Sequence, residues 1–212
     1  TINRAQASQY MFMLKQTYQA VKAEDPTKLI VSAGLSPTGT NDGTAMPDDM
    51  YLGWMYEEGL AQFSDAVGVH GPGYGSAPEV AVNSDSRFPH SSFYFRRVEE
   101  LRNIMVLNGD SAKQVWLLEF GWTTDKVNPQ YSWYAVTPEQ QADYIVRAFQ
   151  YARTNWAPQV GPMFVWNIAD PTWTPEYEQQ WWAITNADGT PRPAYTALQA
   201  AIWISAGNSA WL

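Results

Sequence analysis

Apolar residues recur along this chain in two alternating rhythms, one with the period of a helix and one compressed into short buried runs. Over residues 7–24, Tyr10, Leu14, Tyr18 and Val21 return at helical spacing until Asp25-Pro26 stops the pattern, which predicts an amphipathic helix. Residues 28–33 then read as a short buried strand, backed by Gly34 and a polar loop over residues 37–43. The same unit follows three more times. A helix over 48–62 leads to a strand over 64–70. A helix over 91–107, with Phe95, Val98, Leu101 and Met105 on one face, leads through Asn108-Gly109 into a strand over 114–120. The next helix opens on a capping box: Thr137 caps, Pro138 suits the first helical position, and Gln140 stands three residues past the cap. Its apolar face is Ile145, Phe149 and Ala152, and its strand covers 161–167. A last helix over 193–205 turns Leu198, Ala201 and Ile202 inward. Four short strands alternating with five helices predict an α/β chain built on a parallel sheet with right-handed crossovers.

The loops are uneven. Those following strands, 71–90, 121–136 and 170–192, are long and rich in Gly, Pro and aromatic residues, whereas those preceding strands are short. Parallel α/β architectures build their sites on the loops that leave the C-terminal ends of strands, so chemistry is expected there. No glycine-rich phosphate loop follows any strand, which favours a barrel-type sheet over a doubly wound one.

Composition narrows the function. A chain of 212 residues with 45% hydrophobic content buries a real core as one domain, residues 1–212. Its net charge of -8 and lack of any basic run argue against nucleic acid and anionic membranes as partners. Its longest apolar stretches, 28–35 and 160–168, fall well short of the roughly 20 residues of a membrane-spanning helix. The absence of cysteine excludes disulfides and thiolate metal sites, and two separated histidines, His70 and His90, leave no metal site to expect. The first residue is Thr1 with no charged-then-apolar leader, as expected of a processed, excised or partial chain. The 11 Trp and 12 Tyr fit either a large core or flat platforms for flat ligands.

One carboxylate stands out. In Val115-Trp116-Leu117-Leu118-Glu119-Phe120 it ends an otherwise apolar strand, and simple alternation puts Val115, Leu117 and Glu119 on one face. If that face lines a barrel, Glu119 tops a hydrophobic stack at its mouth, where a buried charge is costly without a partner or a function. The alternative is a salt bridge to a neighbouring Arg or Lys.

Leu118-Glu119-Phe120-Gly121-Trp122 resembles the strand-7 nucleophile motif of the (β/α)8-barrel glycoside hydrolase superfamily that includes families 5 and 39. Asp65-Ala66-Val67-Gly68-Val69-His70 with Tyr74 resembles its strand 6, Trp166 its strand-8 tryptophan, and residues 184–198 the segment leading into its last helix. The resemblance runs from the fourth helix to the eighth, so it implies the C-terminal half of a TIM barrel. It implies Glu119 as the nucleophile of a retaining glycosidase, His70 or Tyr74 holding its carboxylate, and Trp166 as platform under the sugar. Trp122, Tyr131, Trp133, Tyr134 and Trp173 would either line further subsites, with Asn167 and Asp170 bonding hydroxyls, or only pack the loops together. The substrate would be an oligosaccharide or polysaccharide, with no cofactor and no metal, and secretion or a cell-surface location is the expectation for the class.

A retaining glycosidase needs a second carboxyl group about 5 to 5.5 Å from the first. The Asn-Glu-Pro type motif that carries it in this superfamily is absent, so the acid/base is expected upstream of Thr1. Asp125, Glu79, Asp85 and Asp170 are the loop acids that could replace it. A complete barrel takes about 250 residues, so a missing N-terminal half-barrel, in the same or a separate chain, is the expected partner. The competing reading is a non-catalytic glycan-binding or structural subunit derived from such a barrel. An aldolase-type or phosphate-binding barrel is disfavoured, because no lysine ends a strand.

Overall fold

A computed structural model describes residues 3–206. Three strands, β1 (Ala66–His70), β2 (Gln114–Phe120) and β3 (Val160–Val165), form a parallel sheet in the order β1-β2-β3. Helices α1 (Arg4–Glu24) and α2 (Asp48–Glu57) precede β1, α3 (Arg97–Leu107) joins β1 to β2, and α5 (Pro138–Tyr151) joins β2 to β3 after the single turn α4 (Pro129–Ser132). The short α6 (Glu178–Trp182) and then α7 (Pro193–Ala206) follow β3. No helix among the described residues is long and apolar enough to cross a membrane.

The Thr137 capping box forms as read, and a second one, Asn3 with Gln6, starts α1 at Arg4, three residues before the expected start at residue 7. The helix expected over 48–62 ends at Glu57 because Gly59 takes a left-handed φ of 96°, and only a 3-10 turn follows over Leu60–Gln62. On α7, Leu198 packs on the core as expected, whereas Ile202 is 38% exposed.

The expected first strand does not form a ladder. Residues 28–35 run beside β1 and touch it through two isolated parallel bridges, Val31 to Ala66 and Leu35 to Val69. Backbone bonds join the two segments, Ser32 N–H to the Ala66 carbonyl at 3.2 Å, Asp65 N–H to the Ile30 carbonyl at 2.7 Å and His70 N–H to the Leu35 carbonyl at 3.3 Å, but side chains interrupt the series: Ile30 N–H donates to Asp65 Oδ2 at 2.6 Å, Gly68 N–H to Ser32 Oγ at 3.0 Å, and Ala33 N–H to the Tyr10 hydroxyl at 2.7 Å. The apolar run that reads as a strand is therefore an edge segment held by backbone and side-chain bonds together, and Leu29 on it stays 62% exposed.

The helices cover one face of the sheet. Val67, Val69, Val115 and Leu117 are essentially inaccessible and pack with Met11 and Leu14 of α1, Leu52 and Met55 of α2, Leu101 and Met105 of α3, and Ile145 of α5. The other face is crowded near β1, where a Cβ on Gly68 would lie 2.2 Å from the Ser32 carbonyl oxygen and 2.7 Å from Leu118. Towards β3 it opens, and Phe164, Trp166 and Ile168 alternate outward at 49%, 37% and 60% exposure. Helices on one face and an incompletely covered inner face are the layer structure of part of a β/α barrel.

Candidate functional site

Glu119 reaches the inner face through a break in alternation. Val69 pairs with Leu117 but His70 pairs with Glu119, so Leu118 is the extra residue of a β-bulge. Phe120 returns to the helix side, packing on Phe95 and Phe149 at ring distances of 5.8 and 5.2 Å. The stack of Val115, Leu117 and Glu119 drawn from simple alternation is thus corrected: the two apolar residues face the helices, and the bulge turns Glu119 away from them into a cavity.

That cavity, of about 350 Å³, opens at the C-terminal ends of β1 and β2. His70, Tyr74, Glu119 and Trp166 all line it, together with Tyr131 and Tyr134. Nδ1 of His70 lies 3.3 Å from Oε2 of Glu119 and 3.4 Å from the Ser36 hydroxyl. Burial pushes the Glu119 carboxyl above the usual carboxylate range and pushes His70 below the usual imidazole range. The two shifts agree physically: a neutral imidazole gives the carboxylate a polar neighbour without cancelling its charge. No Arg or Lys pairs with Glu119 among the described residues.

Gly34 permits this contact. A Cβ there would lie 2.3 Å from Cδ2 and 2.4 Å from Nε2 of the His70 ring. Gly34→Ala is therefore expected to push His70 out of its berth, and its depressed pKa should return towards about 6.5. With only two histidines in the chain, an NMR titration of the imidazole C–H signals reads this directly, and an unmoved His70 titration would show that the ring is not held by Gly34.

Tyr74 shares the cavity but makes no hydrogen bond to Glu119; it packs edge-on against Phe93 at 4.9 Å and tilted on Tyr134 at 4.7 Å. Other sequence candidates fall elsewhere. Trp122 is wholly buried in the core, its indole N–H donating to the Ser76 carbonyl at 2.8 Å, and Gly73 closes over its ring so tightly that a Cβ would come within 2.0 Å. It packs the loops and offers no platform. Trp173 lies in the loop after β3, outside the cavity wall, with its backbone N–H bonded to the Asp170 carbonyl at 3.1 Å. Asn167 is likewise off the wall, and both polar atoms of its amide are buried without a partner. Trp133 is 54% exposed and leans on Phe88 at 5.6 Å.

The loop acids weighed as replacements are each engaged in local structure. Asp125 accepts from Val127 N–H, Asn128 N–H and Asn128 Nδ2; Glu79 pairs with Arg147; Asp85 pairs with Arg87; and Asp170 closes a turn on Thr172. Sequence reasoning missed Ser36, Glu178, Gln179 and Trp182, which complete the wall. Ser36 arrives on the edge segment. The other three arrive on α6, a helix of five residues with no periodic signal of its own.

No family model and no curated protein matches the sequence. Solved structures do match. A family 39 glycoside hydrolase from the gut symbiont Bacteroides cellulosilyticus WH2 superposes with a TM-score of 0.65 at 21% identity, over 92% of this chain and 37% of that one. A glucosidase from Croceicoccus marinus gives 0.64 at 14% identity, over 92% and 36%. A Bacteroides uniformis beta-glucuronidase gives 0.57 at 17%, over 92% and 20%. The chain thus has the fold of part of a glycoside hydrolase barrel, and spans little more than a third of the first two structures and a fifth of the third.

Proposed function

We propose that this chain is the C-terminal half of a retaining glycoside hydrolase barrel, with Glu119 as its nucleophile. The observation that carries the reading is the placement of Glu119: a carboxylate turned by a bulge into a cavity at the strand ends, beside a neutral His70 and the ring of Trp166, with no cation spent on it. In the first step the Glu119 carboxylate attacks the anomeric carbon, the glycosidic C–O bond breaks, and the leaving oxygen takes a proton from a second carboxyl group. In the second step water, deprotonated by that same group, displaces Glu119 and releases the sugar. Trp166 supports the sugar ring, and His70 and Ser36 fix the carboxylate's orientation.

Asp125, Glu79, Asp85 and Asp170 are all tied into loop structure and Glu178, the cavity's other carboxylate, is bonded to the Trp182 indole, so this reading gives the second carboxyl group to the N-terminal half-barrel, which would also cover Phe164, Trp166 and Ile168. Those same engaged acids favour, as the second reading, a barrel-derived subunit that binds glycan without cleaving it. The test is mechanism-based trapping of the complete protein with a panel of 2-deoxy-2-fluoroglycosides followed by peptide mapping. A single sugar-sized mass increment on the peptide carrying Glu119, with loss of activity in proportion, is expected. Turnover with the label on another residue would overturn the assignment, and binding of glycans with neither turnover nor label would establish the second reading.

A further inference from the structure

The cavity wall carries, besides Glu119, a second carboxylate that the nucleophile's role leaves unused. Glu178 opens α6, and its Oε1 accepts the indole N–H of Trp182 at 2.7 Å. That bond fixes the side chain against a buried tryptophan, itself part of a cluster with Phe88, Tyr94 and Tyr134, so the carboxylate stands on a rigid support. Gln179 follows it on the same wall. Burial first, and then the charge of Glu178, raise the hydroxyl pKa of Tyr74, and Glu178 acts in the same direction on Tyr134, which places its charge close to both rings. Of the residues that form this wall, two are carboxylates, one is the neutral His70, and none is Arg or Lys.

Resting on the glycosidase reading, we propose that Glu178 is the specificity-determining residue of the cavity, accepting hydrogen bonds from vicinal hydroxyls of a neutral sugar and excluding uronic acids. A carboxylate accepts two O–H donors side by side, which is the pattern a diol presents, and such bonds are stronger than those between neutral groups. A uronate brings a third negative charge into a cavity that already holds Glu119 and Glu178. Like charges brought together in one cavity disfavour binding, so the same residue that attracts the diol rejects the acid.

The complete protein and its Glu178→Gln variant, assayed on 4-nitrophenyl β-xyloside, β-glucoside and β-glucuronide, test this. The glutamine keeps a carbonyl oxygen for the Trp182 indole, so the wall should stay folded, which near-UV circular dichroism checks. The wild type should favour the neutral glycosides over the glucuronide by about 100-fold or more in kcat/KM. E178Q should raise KM for the neutral sugars about 10- to 100-fold with kcat little changed, and shrink the discrimination by a similar factor. Glucuronide hydrolysis as fast as that of the neutral sugars, or an E178Q indistinguishable from wild type, overturns the proposal while leaving Glu119 labelling intact. A collapse of kcat rescued by azide would make Glu178 the acid instead. Binding of methyl β-xyloside against methyl β-glucuronide to Glu119→Gln, read by tryptophan fluorescence, separates the two ideas without turnover: preference for the xyloside supports the proposal, and equal or no binding refutes it.

Discussion

Replacing Glu119 by Gln should abolish turnover and, at neutral pH, make the protein more stable. The loss follows from chemistry: an amide is not a nucleophile at the anomeric carbon, and removing a nucleophile typically lowers kcat on the order of 10⁴-fold or more. The stability gain follows from the environment. Burial raises the carboxyl pKa above its unfolded value of about 4.3. The folded state therefore holds on to its proton over a pH range in which the unfolded state has released it, and stability falls as pH rises through that range. Above it, the wild type carries the full penalty of a poorly compensated charge, which Gln does not. Below about pH 4 both states are protonated and the advantage of Gln disappears. The side chain is 37% exposed, so solvent screening limits the gain to less than about 1 kcal/mol, or roughly 2 °C in Tm. Calorimetry at pH 7 and pH 4 checks the sign: a Glu119→Gln protein that melts lower than wild type at pH 7 would mean that the charge is well compensated in solution. Retained turnover would end the nucleophile assignment.

Much of the architecture was written in local pattern. β2 matches its apolar run from Gln114 to Phe120, and α5 starts where Thr137, Pro138 and Gln140 said it would, because caps and period depend on neighbours in sequence alone. What failed depends on contacts between distant residues. Residues 28–35 have the composition of a strand, but the side chains of Asp65, Ser32 and Tyr10 interrupt the series of backbone bonds to β1, so only isolated bridges form. A bulge leaves no trace in the alternation of Val115 to Phe120, so the residue was found while its face was mistaken. Trp122 and Trp166 look alike as strand-end tryptophans, and only Gly73, which lets a loop close on the Trp122 ring, separates core from cavity. Glu178 sits twelve positions beyond Trp166 in an aperiodic loop, and folding alone brings it to the wall.

The largest loss of stability is expected on the side of the sheet where the loops are anchored, from Arg97→Ala. Arg97 opens α3, is 3% exposed, and grips Asp48 at the start of α2 through two bonds, Nη2 to Oδ1 at 2.7 Å and Nε to Oδ2 at 3.2 Å. It also contacts Asp49 at 3.2 Å, the Ser91 hydroxyl at 2.7 Å, and the Glu100 carboxylate. In a parallel β/α chain helices start on the side where strands end, so this network ties two helix starts together at the level of the cavity. Pro47 gives α2 no side-chain cap, which leaves Asp48 and Asp49 as its favourable first-turn charges. Truncating Arg97 leaves Asp48, itself 1% exposed, charged and unpaired in the interior, a change that typically destabilises by about 3–5 kcal/mol. In a domain of this size that is a fall of roughly 10 °C in Tm. Removing both charges, as Arg97→Met with Asp48→Leu, should recover most of the loss, because the desolvation penalty disappears with the pair. Thermal unfolding of the three proteins decides it. A single mutant that loses less than about 1 kcal/mol would place the pair in water, and a double mutant no better than the single one would assign the role to shape and packing rather than to charge.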